Sequence, residues 1–269
     1  MWQSPEISAQ EFAQYQRLLY ELTGISLNDT KKPLVASRLL PRLRHYGMKS
    51  FSEYLRLVKT DPNESQHMTD LLTTNETRFF REDAHLAFLK SELQRTSGQG
   101  KSYSLWSAAS SSGEEAYSMA MICAEVLGVN GSFQILGSDI SQRILDRATR
   151  AVYAMDRAAT IPLDLLKKYC LRGVRSNEGT FTIIPELKRH VEFRQVNLLE
   201  IPRSLGSFDF VFLRNVMIYF DQPTRSRIIE SIAPLLSRDG CLIIGSAESL
   251  LGITTSLVSV GPNVYRRKQ

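Results

Sequence analysis

The segment from Ser104 to Ser118, SLWSAASSSGEEAYS, constrains the fold more than any other part of the sequence. It is typical of a short apolar strand, a tight turn of tiny residues, and a helix that begins with Glu114 and Glu115. Tiny side chains let a ligand approach the backbone, and the free N–H groups of a helix start bind polar groups. Open α/β sheets bind their ligands at the carboxyl ends of strands. The segment therefore predicts a cofactor site after the first strand of such a sheet.

The two adjacent glutamates narrow the choice of cofactor. Their negative charge would repel the pyrophosphate of a dinucleotide, and a single glycine, Gly113, stands where the dinucleotide fingerprint has three. Carboxylates suit hydroxyl groups and a positive charge instead. S-adenosylmethionine, a nucleoside that carries a sulfonium and an amino acid group, fits this chemistry better.

After Tyr103 the pattern alternates between strands and helices, which predicts a mainly parallel sheet with crossover helices. Before residue 85 the pattern is helical, so we expect an all-α domain over residues 1–85 and an α/β domain over 86–269. The segment Cys170–Leu187 fits the alternation poorly and suggests a small antiparallel insertion over about residues 165–190. The predicted strands are Tyr103–Ser107, Phe133–Gly137, Val191–Val196, Phe208–Leu213 and Leu242–Gly245, before a terminal hairpin of Ser256–Val260 and Val264–Arg267.

The second predicted helix of the N-terminal domain carries a basic stripe. Lys31, Arg38, Arg42 and His45 recur at helical spacing. Such a stripe is either a solvated helix surface or a docking face for an acidic helix or substrate. Pro41 lies inside the pattern and is expected to bend or interrupt the helix, because it removes one backbone hydrogen bond.

Composition narrows the class of protein. The chain has 269 residues and a formal net charge of +5, which permits an acidic partner but does not by itself indicate nucleic acid. No apolar run approaches the ~20 residues that span a bilayer, and the N-terminus lacks a secretory-signal pattern. We therefore expect a cytoplasmic protein without membrane insertion, and a monomer by default. The three cysteines stand apart without metal-ligand spacing, so we expect reduced thiols and no metal site.

Polar residues end the next two strands of the predicted sheet. Asp139 ends the second strand, where an acidic residue accepts hydrogen bonds from the two ribose hydroxyls of a nucleoside. The alternative is that Asp139 caps the following helix. Asn197 and Leu198 end the third strand in FRQVNLLE. An amide beside an apolar side chain suits adenine, and a plain turn residue is the competing interpretation.

Arg214 and Asn215 directly follow the apolar fourth strand, at the same predicted edge of the sheet. Tyr219 comes four residues after Asn215, so a helical turn there would direct both side chains the same way. The segment Thr73–Arg81, TTNETRFFR, precedes the sheet and mixes polar residues with two aromatics and an arginine. It is either a lid over a small molecule or a loop between two domains.

Together these motifs resemble the CheR family, the chemotaxis receptor glutamate O-methyltransferases. Their order and spacing also match, over nearly the whole chain, and the combination is more specific than any one motif. The matching segments are TTNETRFFRE (Thr73–Glu82), LWSAASSSGEEAYSMAM (Leu105–Met121), GSDI (Gly137–Ile140), VNLLE (Val196–Glu200), FDFVFLRNVMIYFD (Phe208–Asp221) and GSAES (Gly245–Ser249).

The resemblance implies a Rossmann-like class I methyltransferase sheet with an inserted antiparallel β-subdomain, preceded by an all-α domain. By match to the family's motifs, Arg81 and Tyr219 border the methyl-transfer site, and Arg38 and Arg42 lie on the family's receptor-docking helix. The implied cofactor contacts are Asn75, Thr77, Arg81, Glu115, Asp139, Asn197, Leu198, Arg214 and Asn215.

The implied reaction moves a methyl group from S-adenosylmethionine to the γ-carboxylate of receptor glutamates, giving methyl esters and S-adenosylhomocysteine. The implied partners are the cytoplasmic helices of chemoreceptors. Some family members also bind a receptor's C-terminal peptide at the β-subdomain. No nucleic-acid-binding motif is apparent. Two alternatives remain open: a cofactor-binding regulator with little turnover, and a methyltransferase for another substrate.

Overall fold

The computed structural model describes residues 4–97 and 100–268. The N-terminal part is helical, as predicted. The first helix, α1 (Ala9–Thr23), is bounded by the residues that the sequence marks as its caps: Ser8 and Glu11 form a capping box, and Gly24 ends the helix with a left-handed φ of 74°. The helices that follow are α2 (Lys32–His45), α3 (Phe51–Thr60) and α4 (Pro62–Leu72).

The second helix differs from the prediction in two respects. A short 3₁₀ turn (Asp29–Lys31) precedes it, so α2 begins later than the basic stripe does. The expectation that Pro41 interrupts the helix is wrong, because α2 continues through it to His45. Leu39 and Leu43 on either side of Pro41 are fully buried. Their burial offsets the ~3 kcal/mol that proline costs inside a helix.

The helix α5 (Asp83–Thr96) was not among the predicted elements. It crosses the boundary that the sequence suggested at residue 85. Its buried side chains, which include Leu86, Leu89 and Leu93, pack into the core of the α/β domain rather than into the core of the first four helices. By packing, α5 therefore belongs to the α/β domain.

The large sheet confirms the predicted fold class. Its first five strands by position run parallel, and the last two form the predicted terminal hairpin. The strands are β1 (Tyr103–Ala108), β2 (Phe133–Asp139), β6 (Val191–Gln195), β7 (Phe208–Leu213), β8 (Leu236–Ile244), β9 (Leu257–Gly261) and β10 (Val264–Arg267). In the described part of the chain their order in the sheet is β6-β2-β1-β7-β8-β10-β9, so the order in which the chain adds strands switches sides between β1 and β7.

Alternate residues of the central strands pack into two separate apolar cores, because successive side chains of a strand point to opposite faces of the sheet. In β7, Phe210 and Phe212 join the core that contains α5 and α6 (Glu114–Leu127). Val211 and Leu213 join the core that contains α10 (Gln222–Ile232). The helix α7 (Gln142–Arg150) follows β2. The sheet is therefore covered on both faces, which leaves its strand ends as the place for a ligand.

The predicted insertion is a small antiparallel sheet of β3 (Val152–Ala154), β5 (Thr180–Ile183) and β4 (Cys170–Arg172), in that order. The short helices α8 (Leu163–Tyr169) and α9 (Pro185–Lys188) flank it. The sheet extends beyond the predicted segment of 165–190, because β3 lies upstream and pairs with β5 across the sheet.

Candidate functional site

A cavity lies where the strand order reverses, at the carboxyl ends of β1 and β7. Its walls come from the loops after β1, β2, β6 and β7, from residues 72–81 and from the N-terminal domain. Open α/β sheets bind ligands at this point of their topology. The sequence-predicted residues that line it are Asn75, Thr77, Arg81, Glu115, Asp139, Asn197, Leu198, Arg214, Asn215 and Tyr219.

The turn after β1 is tight because three of its residues adopt left-handed backbone angles. The φ values are 68° at Ala109, 51° at Ser111 and 92° at Gly113. A Cβ atom on Gly113 would lie 3.0 Å from both the Ala148 Cβ and the Phe193 ring. Glycine is therefore required at that position, and the small side chains at Ala109 and Ser111 leave the cavity wall open to a ligand.

Asp139 holds its carboxylate at the cavity through backbone hydrogen bonds. It accepts one from the Ser111 N–H at 3.0 Å and one from the Ser141 N–H at 3.1 Å. The helix that follows is capped by the Ser141 hydroxyl, which accepts from the Ile144 N–H, and not by Asp139. Burial raises the pKa of Asp139 to about 6. These contacts leave Asp139 oxygen lone pairs for a ligand's hydroxyl groups.

The adjacent glutamates at the start of α6 have different environments. Glu115 lines the cavity, accepts from the Ser107 hydroxyl at 2.7 Å, and pairs with Arg214 at 2.8 Å. Burial raises its pKa, and Arg214 opposes that shift. Glu114 is fully buried, does not line the cavity, and pairs with Arg157. Only Glu115 is thus available to a ligand.

Arg214 is the buried cation of the site, with 2% of its side chain exposed. Besides Glu115, it donates to the Arg81 carbonyl and to Glu82, whose Oε2 lies 3.1 Å away. Its buried Nε–H has no partner among the described residues. Because an unpaired buried donor is costly, that N–H is an argument for a ligand acceptor at this wall.

Asn197 makes contacts that favour the turn interpretation. Its side-chain oxygen accepts from the Leu199 N–H at 3.0 Å, and its amide nitrogen donates to the Leu22 carbonyl at 2.8 Å. The second bond joins the α/β domain to the end of α1. Leu198 lines the cavity with a buried apolar side chain, which suits the face of a flat ring.

The segment between α4 and α5 forms one side of the cavity and is tied to the domain on several sides. The Ser111 hydroxyl donates to the Asn75 carbonyl at 2.9 Å, and Arg157 donates to the Thr77 carbonyl at 2.8 Å. Arg81 is half-buried and donates to the Glu76 carbonyl at 3.3 Å. The Arg81 guanidinium makes no ion pair within the described ranges, so its charge is available to an anion.

Tyr219 lies in the 3₁₀ turn Met217–Tyr219 after β7. Its carbonyl accepts from the Ser26 N–H at 2.9 Å, which fixes the turn against the N-terminal domain. Tyr219 lines the cavity, and its hydroxyl has no hydrogen-bond partner among residues 4–97 and 100–268. An unpaired hydroxyl at a cavity wall is suited to orienting a polar substrate group.

The basic stripe has structural partners that the sequence did not reveal. Arg42 pairs with Glu64, which is almost fully buried and also accepts from the Tyr54 hydroxyl at 2.7 Å. Arg38 donates to the carbonyl groups of Leu72 and Thr73 at the end of α4. Lys31 is exposed, lines the cavity, and makes no ion pair with a described residue. The docking role of Arg38 and Arg42 stays a prediction, and Lys31 is the freer cation of the stripe.

Sequence reasoning missed two carboxylates that surround the loop after β7. Glu82 accepts from the side chains of Arg214 and Asn215, and Glu248 accepts from backbone N–H groups of the same loop. Both residues fall inside the motifs TTNETRFFRE and GSAES, but nothing in their local pattern indicates a role. Across the described ranges, no cluster of three or more His, Cys, Asp or Glu side chains could hold a metal ion.

Two family models match the chain in sequence. The model of the CheR methyltransferase all-alpha domain matches residues 10–73, and the model of the CheR methyltransferase SAM binding domain matches residues 75–265. The chain belongs to the CheR methyltransferase family. The resemblance inferred from the motifs is confirmed, and S-adenosylmethionine is confirmed as the cofactor of the α/β domain. The first model ends at residue 73 and the second begins at residue 75, both before the boundary suggested at residue 85, which agrees with the packing of α5.

Curated relatives cover most of the chain. It is 42% identical over 95% of its length to chemotaxis protein methyltransferase 2 of Pseudomonas aeruginosa, of which it covers 92%. It is 38% identical over 98% of its length to the chemotaxis protein methyltransferase of Salmonella typhimurium, of which it also covers 92%. Among solved structures, the methyltransferase domain of bacterial CtHen1-C is 14% identical with a TM-score of 0.36, covering 60% of this chain and 63% of that one.

The residues of the cavity fit the chemistry of S-adenosylmethionine. A nucleoside has hydroxyl donors for Asp139, and a positively charged amino acid group suits the carboxylate of Glu115. The free Nε–H of Arg214 and the unpaired guanidinium of Arg81 suit the cofactor's carboxylate.

Among the described residues, no helix is both long and apolar enough to cross a membrane.

Proposed function

We propose that this CheR family methyltransferase methylates the γ-carboxylate of glutamates in chemoreceptors, giving methyl esters and S-adenosylhomocysteine. The supporting observation is one cavity lined by all ten residues predicted to bind cofactor or border the reaction. Arg81 and Tyr219 both line this cavity, and we assign them to the side of the substrate carboxylate. The names of the relatives, chemotaxis protein methyltransferases, support a chemotaxis substrate.

The proposed reaction requires the protein mainly to align the substrate carboxylate with the reacting methyl group. The cofactor supplies an electrophilic methyl group. A glutamate side chain, with a pKa of about 4.3, is ionised at neutral pH, so no general base is needed. The chain's own residues must hold the substrate carboxylate in line with the reacting group and exclude water.

Arg81 and Tyr219 are the residues proposed for this task. The guanidinium of Arg81 attracts a carboxylate into the cavity, where a charge-assisted hydrogen bond is strong. Too tight a grip on the nucleophile would slow its attack, so Arg81 positions and does not activate. The Tyr219 hydroxyl donates to one carboxylate oxygen and leaves the other free to react. Tyr219→Phe is expected to lower kcat about tenfold while the Kd for S-adenosylhomocysteine stays within twofold.

The proposed protein partner is the cytoplasmic helical part of a chemoreceptor, which would make the chain a cytoplasmic enzyme. The exposed Lys31 and the half-buried Arg38 give the helical domain positive charge that suits helices carrying acidic methylation sites. In the small sheet, β4 is an edge strand with the exposed Leu171, and an edge strand can pair with an extended receptor C-terminal peptide. Calorimetry with that peptide tests the proposed contact at β4. If no heat of binding is detected, the proposed peptide contact is wrong.

The decisive experiment is methyl transfer from radiolabelled S-adenosylmethionine to chemoreceptor-containing membranes, followed by base treatment. Label on the receptor that base releases as methanol supports a carboxyl methyl ester. Base-stable label contradicts the glutamate assignment and favours a methyltransferase for another group. Cofactor binding without any transfer, using receptors shown to be methylatable, favours a cofactor-binding regulator.

A further inference from the structure

Two carboxylates outside the cavity meet at the loop that carries Arg214 and Asn215. Neither Glu82 nor Glu248 lines the cavity. Glu82 accepts from the Asn215 side-chain amide at 3.0 Å, from Arg214 at 3.1 Å, and from the Ser246 N–H at 3.1 Å. Arg214 and Asn215, whose side chains donate to Glu82, both line the cavity.

Glu248 holds the same loop by its backbone. Its Oε2 accepts from the Asn215 N–H at 2.9 Å and from the Gly245 N–H at 2.7 Å. Its Oε1 accepts from the Met217 N–H at 2.8 Å. Glu248 is 7% exposed, so these three N–H groups are the principal solvation of its carboxylate. A buried carboxylate with three backbone donors fixes the distances between the peptide groups that it joins.

The backbone at Asn215 is in a less common conformation. Its φ of 59° lies in the left-handed region, which asparagine adopts more readily than most other non-glycine residues. The bonds from the Asn215 and Met217 N–H groups to Glu248 help to hold this conformation. A Cβ on Gly245 would lie 2.7 Å from Glu248 Oε2 and 2.9 Å from Asn215 Nδ2. The absence of a side chain at Gly245 is what lets both groups approach.

We infer that Glu82 and Glu248 are positioning residues that together hold Arg214 and Asn215 in their cofactor-binding geometry. Glu82 acts on the two side chains, and Glu248 acts on the backbone between them and Tyr219. The inference rests on the proposed function in one respect, since it assumes that the cofactor binds in this cavity. It adds two residues that touch neither cofactor nor substrate but determine the affinity for the cofactor.

The ionisation of Glu82 agrees with this assignment. Burial alone would raise its pKa, but hydrogen bonds from Asn215 and Ser246 and the charge of Arg214 lower it to about 2. Glu82 is therefore charged at neutral pH, and it shares the charge of Arg214 with Glu115. A neutral side chain at position 82 would leave Arg214 free to turn wholly towards Glu115.

The test measures the Kd for S-adenosylhomocysteine by calorimetry in Glu82→Gln and Glu248→Gln. Glutamine keeps the size of both side chains. At position 248 its NH₂ group replaces an acceptor oxygen and cannot accept a hydrogen bond from the backbone N–H groups there. We expect Kd to rise at least about tenfold in each variant, equal to about 1.4 kcal/mol. Kd values within twofold of the wild-type value in both variants would overturn the inference.

Two matched controls separate positioning from a general loss of stability. Glu92→Gln removes a carboxylate that pairs with Arg95 and Arg266, and Glu11→Gln removes one that accepts from the Ser8 and Ser52 N–H groups. Both lie away from the cavity. They are expected to lower the melting temperature without changing Kd. A rise in Kd as large in the controls as in the test variants would count against positioning.

A double-mutant cycle keeps the inference testable if Glu248→Gln does not fold. If Glu82 acts through Asn215, the loss of affinity in Glu82→Gln should be smaller in an Asn215→Ala background than in the wild type. Fully additive losses contradict that route. The proposed function fails separately, when the wild-type chain binds no cofactor or esterifies no receptor.

Discussion

The two walls of the cavity differ in how their charges are held. On the sheet wall, defined here as Glu115, Asp139 and Arg214, the charged groups are buried and hydrogen-bonded to fixed partners. On the outer wall, defined as Lys31 and Arg78, both cations are exposed and make no ion pair within the described ranges. One cavity thus combines a rigid polar surface with a solvated one.

The difference suits two kinds of ligand. Buried charges in fixed geometry are strong and directional, and they discriminate a ligand whose structure never changes, such as a cofactor. Exposed cations are screened by salt and gain little from any one geometry, but they attract acidic surfaces of varied shape. The sheet wall is accordingly expected to control cofactor affinity, and the outer wall to control the encounter with the protein substrate.

Removing the cation of the sheet wall should have the largest effect. Arg214→Ala deletes the partner of Glu115 and a proposed donor to the cofactor, so we expect Kd for S-adenosylhomocysteine to rise about 100-fold or more by calorimetry. Loss of a partner from a buried ion pair should also cost about 3 kcal/mol of stability. Arg78→Ala, an arginine of the outer wall, is the matched control and should change Kd less than threefold. Equal effects would abolish the distinction between the walls.

The helical domain offers the next test, because its basic residues are not equivalent. Arg42→Glu places a negative charge beside the buried Glu64, whose pKa of about 2 reflects its bonds to Arg42 and Tyr54 against the effect of burial. We expect a loss of about 3 kcal/mol in urea denaturation. Lys31→Glu should leave stability within about 0.5 kcal/mol.

The readout for the outer wall is receptor methylation as a function of salt. Lys31→Glu should lower the rate severalfold at low ionic strength, and the deficit should shrink as salt screens the charge. Unchanged methylation in Lys31→Glu returns the stripe to the solvated-surface interpretation. A deficit in Arg42→Glu alone cannot support docking, because that variant loses stability.

Asp139 gives the sheet wall a pH dependence. Its folded-state pKa of about 6 lies above the ordinary value of 3.8 because of burial, so it protonates as pH falls below 6. The protonated form accepts hydroxyl hydrogen bonds poorly, and cofactor affinity should therefore fall about tenfold between pH 7 and pH 5. Folding shows the opposite sign: ionising Asp139 costs stability as pH rises from about 4 to about 6. In Asp139→Asn, calorimetry across this range should give a flat and weaker affinity. A slope that persists would assign the titration to another group.

Much of the site could be predicted from the sequence because a parallel sheet places its strand ends on one edge. Asp139, Asn197 and Arg214 are far apart in the chain, yet each lies at or just beyond the carboxyl end of a strand, and all line one cavity. The small residues of the turn after β1 indicated a cofactor site. The parallel topology of the sheet then indicated that the polar residues at the other strand ends belong to the same site.

Partners distant in the chain could not be predicted. Glu82 bonds to Asn215 across 133 residues, and no local spacing reveals such a contact. The ion pair between Arg42 and Glu64 was missed for the same reason. Arg42 was therefore considered as a surface cation, although its guanidinium is paired. The helix α5 was missed although its buried residues pack mainly against α6, in the core of the α/β domain. Pro41 was misread because packing of α2 outweighs the local cost of proline.

Asn197 lines the cavity beside the sheet wall and provides the finest test of it, because its amide is fully used within the protein. Its bonds to the Leu22 carbonyl and the Leu199 N–H leave it little to offer an adenine. We expect Asn197→Ala to lower stability by about 1 kcal/mol and to change Kd for S-adenosylhomocysteine less than threefold. Tyr20→Phe, which removes the Tyr20–Asp221 bond between the same two domains, is the matched control and should leave Kd unchanged. A tenfold rise in Kd for Asn197→Ala alone would mean that its amide leaves Leu22 and binds the cofactor. In that case the sheet wall is less fixed than its hydrogen bonds indicate, and cofactor binding and the contact between domains are coupled.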